Sequence, residues 1–143
     1  MKTVKQVLDT KGYELHSIPP TASVYDALQE MAQQEIGALV VLREAELAGI
    51  ISERDYARKV ILEGRHSKDT PVGDIMTRNV ICVTSEARVD ACMSLMTDKR
   101  VRHLVVRDAE RIAGVISIGD VVKAIIEDQQ FTIEQLEHYI SGS

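Results

Sequence analysis

The sequence contains one phrase twice. AGIISERD begins at Ala48 and AGVISIGD begins 65 residues later at Ala113, and both read Ala-Gly-hydrophobic-Ile-Ser-x-x-Asp. The same shift aligns the surrounding apolar positions without a gap, placing Met31 on Met96. Self-similarity at a fixed spacing indicates two copies of one supersecondary unit, neither of which can bury its apolar face alone.

Hydrophobic periodicity gives the same order of elements in each copy. A short extended segment comes first, at 15–18 or 80–83. An amphipathic helix follows from Val24 or Val89, then two apolar strands joined by a tight turn, and then a second helix. The order strand, helix, strand, strand, helix predicts an α+β fold built from two β-α-β-β-α repeats.

Short helices are predicted outside the repeats. Residues 3–8 read as one such helix, and Thr70 and Pro71 have the types expected for the N-cap and first position of another. Thr132 and Gln135 have capping-box spacing, which predicts a separate last helix.

That last helix carries an apolar stripe of Ile133, Leu136 and Ile140. The stripe is more apolar surface than two small repeats need, and it favours a homodimer.

Composition excludes several classes of partner. The net charge of −5 disfavours a general nucleic-acid binder, because phosphate contacts need a surplus of Lys and Arg. No apolar run approaches the roughly 18–20 residues that span a bilayer, so no membrane association is expected. The polar N-terminus does not read as a signal peptide, and the cytoplasm is the expected location.

The cysteines and histidines do not indicate a metal site. Cys82 and Cys92 both lie in apolar patterns, which predicts two small buried thiols. No cysteine or histidine pair has metal-ligand spacing. The four histidines are His16, His66, His103 and His138.

The repeated Ser-x-x-Asp has two interpretations. Ser52 with Asp55, and Ser117 with Asp120, have the spacing of a capping box that opens the next helix, a contribution of about 1 kcal/mol. The same groups suit a nucleotide, because unpaired helix N–H groups and a hydroxyl favour phosphate and a carboxylate can bind ribose hydroxyls. The sequence also predicts that Arg102 and the neighbouring histidine start the strand beside the second phrase, which adds a cation.

Motifs of catalysis are missing from the sequence. It has no Gly-x-x-x-x-Gly-Lys loop, no Gly-x-Gly-x-x-Gly and no Gly-x-Ser-x-Gly elbow. No nucleophile with an adjacent base is evident. We therefore expect no enzyme activity, no catalytic residues, no metal and no required cofactor.

The chain resembles a tandem pair of cystathionine beta-synthase (CBS) domains, often called a Bateman module, of the stand-alone bacterial type. GIISERD at 49–55 and GVISIGD at 114–120 carry the resemblance, with the strands IGALVV and VRHLVV and the segment DIMTRNVICV at 74–83. The resemblance implies two repeats related by a pseudo-two-fold, with two clefts between them. It divides residues 1–143 into a first repeat at 10–63, a second at 74–128 and a C-terminal helix at 129–143.

The resemblance also implies ligands and the residues that bind them. AMP, ADP and ATP are the expected ligands, with NAD or S-adenosylmethionine in some members. One cleft would use Leu15, His16, Ser17, Arg102, His103, Ser117 and Asp120. The other would use Ser52, Arg54, Asp55, Asn79, Val80 and Ile81, and there Gly37 and Ala38 replace the Arg-His pair. In that cleft Arg54, with Arg58 or Lys59, could supply the positive charge that Gly37 and Ala38 lack. In the second copy Gly119 stands at the position of Arg54.

The predicted function is therefore a non-catalytic regulatory module that senses adenine nucleotides. Its partners would be the nucleotide, a second copy of the chain, and a regulated enzyme or transporter acting in trans. The alternative is a structural or dimerisation module in which both Ser-x-x-Asp phrases are only helix caps.

Overall fold

The structure is a computed structural model that describes residues 1–142. Contacts divide the chain into two compact units. One unit comprises Leu15–Val80, and the other joins Met1–Glu14 to the chain from Ile81 onward. The predicted boundaries of 10–63 and 74–128 follow the sequence repeat, whereas the units assign the N-terminal segment to the second repeat.

The unit of Leu15–Val80 contains the first repeat. Helix α1 (Val4–Lys11) belongs to the other unit. The elements of this unit are β1 (Ser17–Ile18), α2 (Val24–Gln34), β2 (Ala38–Arg43), β3 (Glu46–Ser52), α3 (Glu53–Tyr56), a π-helical turn (Ala57–Ile61), a 3-10 turn (Ser67–Asp69) and α4 (Val72–Ile75). The sheet order is β1-β2-β3, with β1 parallel and β3 antiparallel to β2. Val24, Met31, Leu39, Ile51 and Ile75 are among the buried residues of its apolar core.

The second unit repeats this architecture around its own core. Its elements are α1 (Val4–Lys11), β4 (Cys82–Val83), α5 (Val89–Lys99), β5 (His103–Asp108), β6 (Arg111–Ser117) and α6 (Ile118–Ile140). The sheet order is β4-β5-β6 with the same strand directions. The register shifts after Val41 in one sheet and after Val106 in the other, so the repeats share even this irregularity. The predicted α+β fold of two β-α-β-β-α repeats is confirmed.

Each unit is completed by a short helix that docks in the same way. In α1 the amide of Val4 donates to the Ala87 carbonyl at 2.8 Å. In α4 the amide of Val72 donates to the Ala22 carbonyl, the residue matching Ala87 under the repeat shift, also at 2.8 Å. Helix α1 therefore has the same place on the second repeat that α4 has on the first.

The predicted separate helix at the C-terminus is wrong. Helix α6 runs without a break from Ile118 to Ile140, because Thr132 donates its hydroxyl to the Asp128 carbonyl at 3.0 Å inside the helix instead of capping a new one. Ser143, the last residue of the predicted segment 129–143, lies outside the described residues.

Two smaller predictions also differ from the structure. Pro71 is the N-cap residue of α4, because the Thr70 hydroxyl already donates to the His66 carbonyl at 2.7 Å. Cys92 is buried as predicted, but Cys82 is exposed, since it lies on the two-residue strand β4 with its side chain turned away from the core. Among residues 1–142, no helix is both long and apolar enough to cross a membrane.

The glycine of the repeated phrase lies where another segment approaches closely. A Cβ on Gly49 would meet the Thr77 carbonyl oxygen at 2.7 Å and the Met76 sulfur at 2.8 Å. A Cβ on Gly114 would meet only the Leu8 side chain, at 3.0 Å. The glycines therefore permit docking of α1 and of the chain after α4.

We expect Gly49→Ala to lower the free energy of unfolding by about 1–3 kcal/mol, because the methyl group collides with backbone that cannot move alone. Thr77 is fixed by two bonds to Ile50, at 3.0 and 2.8 Å. Gly114→Ala is the matched control and should cost less, since a leucine side chain can shift. Urea denaturation measures both, and an equal or reversed order would contradict this account of the glycines.

Candidate functional site

Both repeated phrases form a strand that turns directly into a helix. Ser52 ends β3 and Ser117 ends β6. Each serine hydroxyl accepts from the amide of the aspartate three residues on, at 3.2 Å in the first repeat and 3.1 Å in the second. Each aspartate carboxylate accepts from the serine amide in return, at 2.9 and 2.8 Å. The capping boxes predicted at Asp55 and Asp120 are confirmed.

The helix amides expected to meet a phosphate are largely occupied. The amide of Glu53 donates to the Gly37 carbonyl at 3.1 Å, and that of Ile118 donates to the Arg102 carbonyl at 2.8 Å. With the serine and aspartate amides, three backbone N–H groups at each junction are bonded inside their own unit. The expectation of unpaired N–H groups at these positions is therefore wrong. The residue directly before the first strand of each hairpin supplies one acceptor, and the serine and aspartate side chains supply the other two.

The second unit brings four of the predicted residues to one place. His103 lies opposite Ser117 in the pairing of β5 with β6, and Arg102 contacts the start of α6 through its carbonyl. Asp120 lies in the first turn of that helix. The Arg102 side chain is exposed and His103 is half-buried. A hydroxyl, a carboxylate and a cationic residue therefore share one end of the sheet.

The first unit has the same arrangement without the same charge. Ala38 lies opposite Ser52 in the pairing of β2 with β3, and Gly37 takes the backbone role of Arg102. Arg54, half-buried in the first turn of α3, carries the positive charge here. The two junctions thus share their backbone and differ in the source of positive charge.

The predicted adenine-contacting segments lie beside the first strand of each hairpin. The His16 carbonyl accepts from the Val40 amide at 3.2 Å, and the Ile81 carbonyl accepts from the Val105 amide at 3.1 Å. The His16 ring is also near a carboxylate, with 4.0 Å between its Nδ1 and Oε1 of Glu30.

The other residues of these segments differ in exposure. Ser17 and Asn79 are exposed, whereas Leu15 and Val80 are half-buried. The combination of these segments with the helix junctions into nucleotide clefts stays a prediction.

Asp55 is the more enclosed of the two carboxylates. Its side chain is 11% exposed and lies 3.1 Å from Nζ of Lys59, one helical turn away. Thr77 donates its hydroxyl to Asp55 Oδ1 at 3.2 Å, and the Ser52 hydroxyl also lies at hydrogen-bond distance, 3.1 Å, from Oδ2. Lys59, which the sequence suggested as a cation, is therefore engaged with this carboxylate and also donates to the Ile75 carbonyl at 3.0 Å.

Asp120 is held by a lysine from a distant part of the chain. Lys11 Nζ donates to Asp120 Oδ2 at 2.6 Å and to the Val115 carbonyl at 2.8 Å. Burial raises the pKa of Asp120, but the bonds from Lys11 and Ser117 outweigh burial, and the net pKa lies below its ordinary value. The carboxylate is therefore ionised at neutral pH.

Lys11 and Thr77 are site residues that the sequence did not predict. Thr77 contacts the Ile50 carbonyl through its amide and Asp55 through its hydroxyl. Lys11 contacts the matching carbonyl of Val115 and the matching carboxylate through one ammonium group. Helix α1 extends to Lys11, whereas α4 stops at Ile75. The available signal was the alignment of Lys59 with Ala124, which leaves the second carboxylate without a lysine four residues further along the chain.

A cavity of about 180 Å³ lies beside Asp120. Its lining includes three lysines: Lys2 just before α1, Lys11 at the end of α1, and Lys123 in α6. It is smaller than the roughly 300–1,000 Å³ of typical ligand pockets, so it would not hold a whole nucleotide. Among residues 1–142, no cluster of three His, Cys, Asp or Glu side chains is arranged to hold a metal ion.

We expect Lys11→Met to lower the free energy of unfolding by about 1 kcal/mol at pH 7, because it removes a charge-assisted bond and keeps the aliphatic stem. The pKa of Asp120 is lowered in the folded state, so its ionised form stabilises the fold above the unfolded value of 3.8. That contribution is lost as the pH falls through the folded pKa. The difference between variant and parent should therefore shrink below about pH 4.

Urea denaturation at several pH values measures this difference. Lys5→Met on the same helix is the control, since Lys5 and Asp9 form an exposed pair at 3.6 Å that should contribute little. A Lys11→Met effect that is constant from pH 7 to about pH 3 would contradict the assignment to Asp120.

Comparison with known families identifies both repeats. The CBS domain model matches residues 4–62 and 72–127. The CBS domain-containing protein CBSX3, mitochondrial, of Arabidopsis thaliana is 49% identical, over 98% of this chain and 72% of its own length.

Solved structures have the same fold. One from Burkholderia ambifaria, described as a candidate signal-transduction protein with CBS domains, is 48% identical with a TM-score of 0.86, and the match covers 92% of this chain and 99% of that one. A CBS domain protein of Pyrobaculum aerophilum, solved in complex with AMP, is 24% identical with a TM-score of 0.73, over 83% and 89% of the two chains. Pairs of this domain are regulatory modules. The chain therefore belongs to the CBS domain family and contains two copies of the domain.

Proposed function

We propose that this chain is a non-catalytic regulatory module that senses AMP, ADP or ATP, with NAD as a further candidate ligand. The observation that carries the proposal is the grouping of Arg102, His103, Ser117 and Asp120 at one strand-to-helix junction. Phosphate recognition needs cationic and hydroxyl donors, and ribose recognition suits a carboxylate acceptor. The AMP complex of the Pyrobaculum aerophilum protein supports an adenine nucleotide as the ligand class.

The roles at this junction follow from the chemistry of each side chain. Arg102 and His103 would bind phosphate from the start of β5, assisted by the Ser117 hydroxyl. Asp120 would accept from the ribose hydroxyls. A carboxylate offers about four acceptor positions, and the bonds from Ser117 and Lys11 both go to Oδ2, so Lys11 could stay in place during binding.

The junction at Asp55 would bind nucleotide more weakly. Its carboxylate is less exposed than that of Asp120, with side-chain exposures of 11% and 23%. It is also bonded by Thr77, and the positions matching the Arg-His pair are Gly37 and Ala38, which have no charge. Ser52 and Arg54 would be its main polar contacts, with Asn79, Val80 and Ile81 against the base. At the other site, Leu15, His16 and Ser17 would make backbone contacts to the adenine base.

One observation favours a second candidate, a structural or dimerisation module without ligand. Both capping boxes are complete, and three amides at each junction are bonded within the protein. In this alternative, Ser52 and Ser117 only stabilise helices.

The further parts of the proposal concern partners and location. A sensor transmits a signal only if the ligand binds one conformation more tightly than another. We propose that the reader is a homodimer or a regulated enzyme or transporter in trans, in the cytoplasm. The mitochondrial label of the Arabidopsis relative applies to that protein.

Calorimetric titration of the full chain with AMP, ADP, ATP, NAD and S-adenosylmethionine tests the sensing function. We expect Ser117→Ala to weaken the tightest ligand at least about tenfold, a loss of about 1.4 kcal/mol of binding free energy. Heat from none of the five ligands at near-millimolar concentration would contradict the proposal.

Ser23→Ala is the matched control for this titration. It removes an equivalent cap from α2, where the Asp26 amide donates to the Ser23 hydroxyl at 3.0 Å, so both variants should lose about 1 kcal/mol of stability. Only Ser117→Ala should lose affinity. Equal affinities of the two variants would favour the cap-only module.

A further inference from the structure

Helix α6 extends well beyond the part that its unit buries. Val121 and Ala124 are buried near its start, whereas every residue from Gln129 to Gly142 is exposed. The exposed part is rich in large apolar side chains, among them Ile133 at 47% and Leu136 at 56% exposure. This surface is separate from the strand-to-helix junctions.

The exposed apolar residues follow a heptad spacing. Six positions alternate steps of four and three residues along one side of α6, and we name them the α6 seam: Val122, Ile126, Gln129, Ile133, Leu136 and Ile140. Val122 and Ile126 are 39% and 57% exposed, so the seam does not coincide with the buried face. Alternating steps of three and four are the pattern of a two-helix coiled coil.

We propose that the α6 seam pairs with the same seam of a second copy of this chain, with the two helices parallel. In heptad notation the a positions are all isoleucine, at 126, 133 and 140, and the apolar d positions are Val122 and Leu136. In parallel coiled coils, β-branched residues at a with leucine at d favour two strands over three or four.

Gln129 supports the parallel orientation. It is the one polar residue of the seam, at a d position. In a parallel pair it faces its counterpart in the second copy, where two side-chain amides can bond each other. In an antiparallel pair it would face isoleucine and leave its amide unpaired, which is costly. A single polar seam residue also fixes the register.

Charge makes a membrane surface a poor occupant of the seam. Amphipathic helices that bind membranes carry Lys and Arg on their polar face. Here the polar side of α6 carries Glu127, Asp128, Glu134 and Glu137 against one lysine, Lys123, and the chain has a net charge of −5. A second copy offers an apolar surface that matches the seam position by position.

The length of the seam sets the expected strength. From Val122 to Ile140 it covers about two and a half heptads, fewer than the three to four of a self-sufficient coiled coil. We therefore expect a dimer that dissociates in the micromolar range and not a permanent one.

Sedimentation of the full chain from about 1 to about 200 µM tests the proposal. We expect Ile133→Asp to raise the dimer dissociation constant at least tenfold. Phe131→Asp is the matched control, because Phe131 is 63% exposed and lies on the opposite side of the same helix. Far-ultraviolet circular dichroism checks that both variants keep their helix content.

Two outcomes would overturn the pairing: a wild-type chain that is monomeric throughout, or equal weakening by both substitutions. Orientation is tested by Gln129→Cys in a Cys82→Ser background, which removes the exposed native thiol. Parallel helices bring the two introduced thiols into disulfide range, so a cross-linked dimer is expected on oxidation. A dimer that forms without this cross-link would overturn the parallel orientation.

Discussion

Each unit depends on a junction where a strand becomes a helix through the reciprocal hydrogen bonds of a serine and an aspartate. Ser52 and Asp55 form one junction, and Ser117 and Asp120 form the other. The junction sets the direction in which the second helix of the repeat leaves the sheet. It also holds the start of the first hairpin strand close to the helix, because the carbonyl of Gly37 or Arg102 accepts from the first amide of that helix. A stabilising cap and a cluster of chemically useful side chains are therefore the same structure.

The two copies keep the geometry of the junction and change the groups that complete it. Asp55 receives Lys59 from the π-helical turn that follows α3 and the hydroxyl of Thr77 from the chain after α4. Asp120 instead receives Lys11 from α1, and the Lys11 ammonium group makes the contacts that correspond to those of the Thr77 amide and hydroxyl. Duplicated backbones can thus diverge in charge and enclosure without losing their fold, so the proposed nucleotide sensor would have two unequal sites.

Much of this fold could be predicted because its signals are local. Apolar periodicity and Ser-x-x-Asp caps each act within a few residues, and the 65-residue repeat shows that the same local signals occur twice. Lys11 could not be predicted, because it meets Asp120 across 109 residues of sequence. The break before Thr132 was predicted wrongly, since a threonine hydroxyl can bond the preceding turn as readily as cap a new one. Occupied amides at the junctions depended on strand pairing, which no spacing along one strand reveals.

The central claim is that the junction at Ser117 is both a helix cap and a nucleotide-binding surface. Amide chemical shifts of isotope-labelled protein during titration with AMP test it most directly. The account predicts that signals of Arg102, His103, Ser117, Gly119 and Asp120 move together and saturate. A titration that reaches millimolar AMP and leaves those five signals in place, or moves only signals elsewhere, would contradict it.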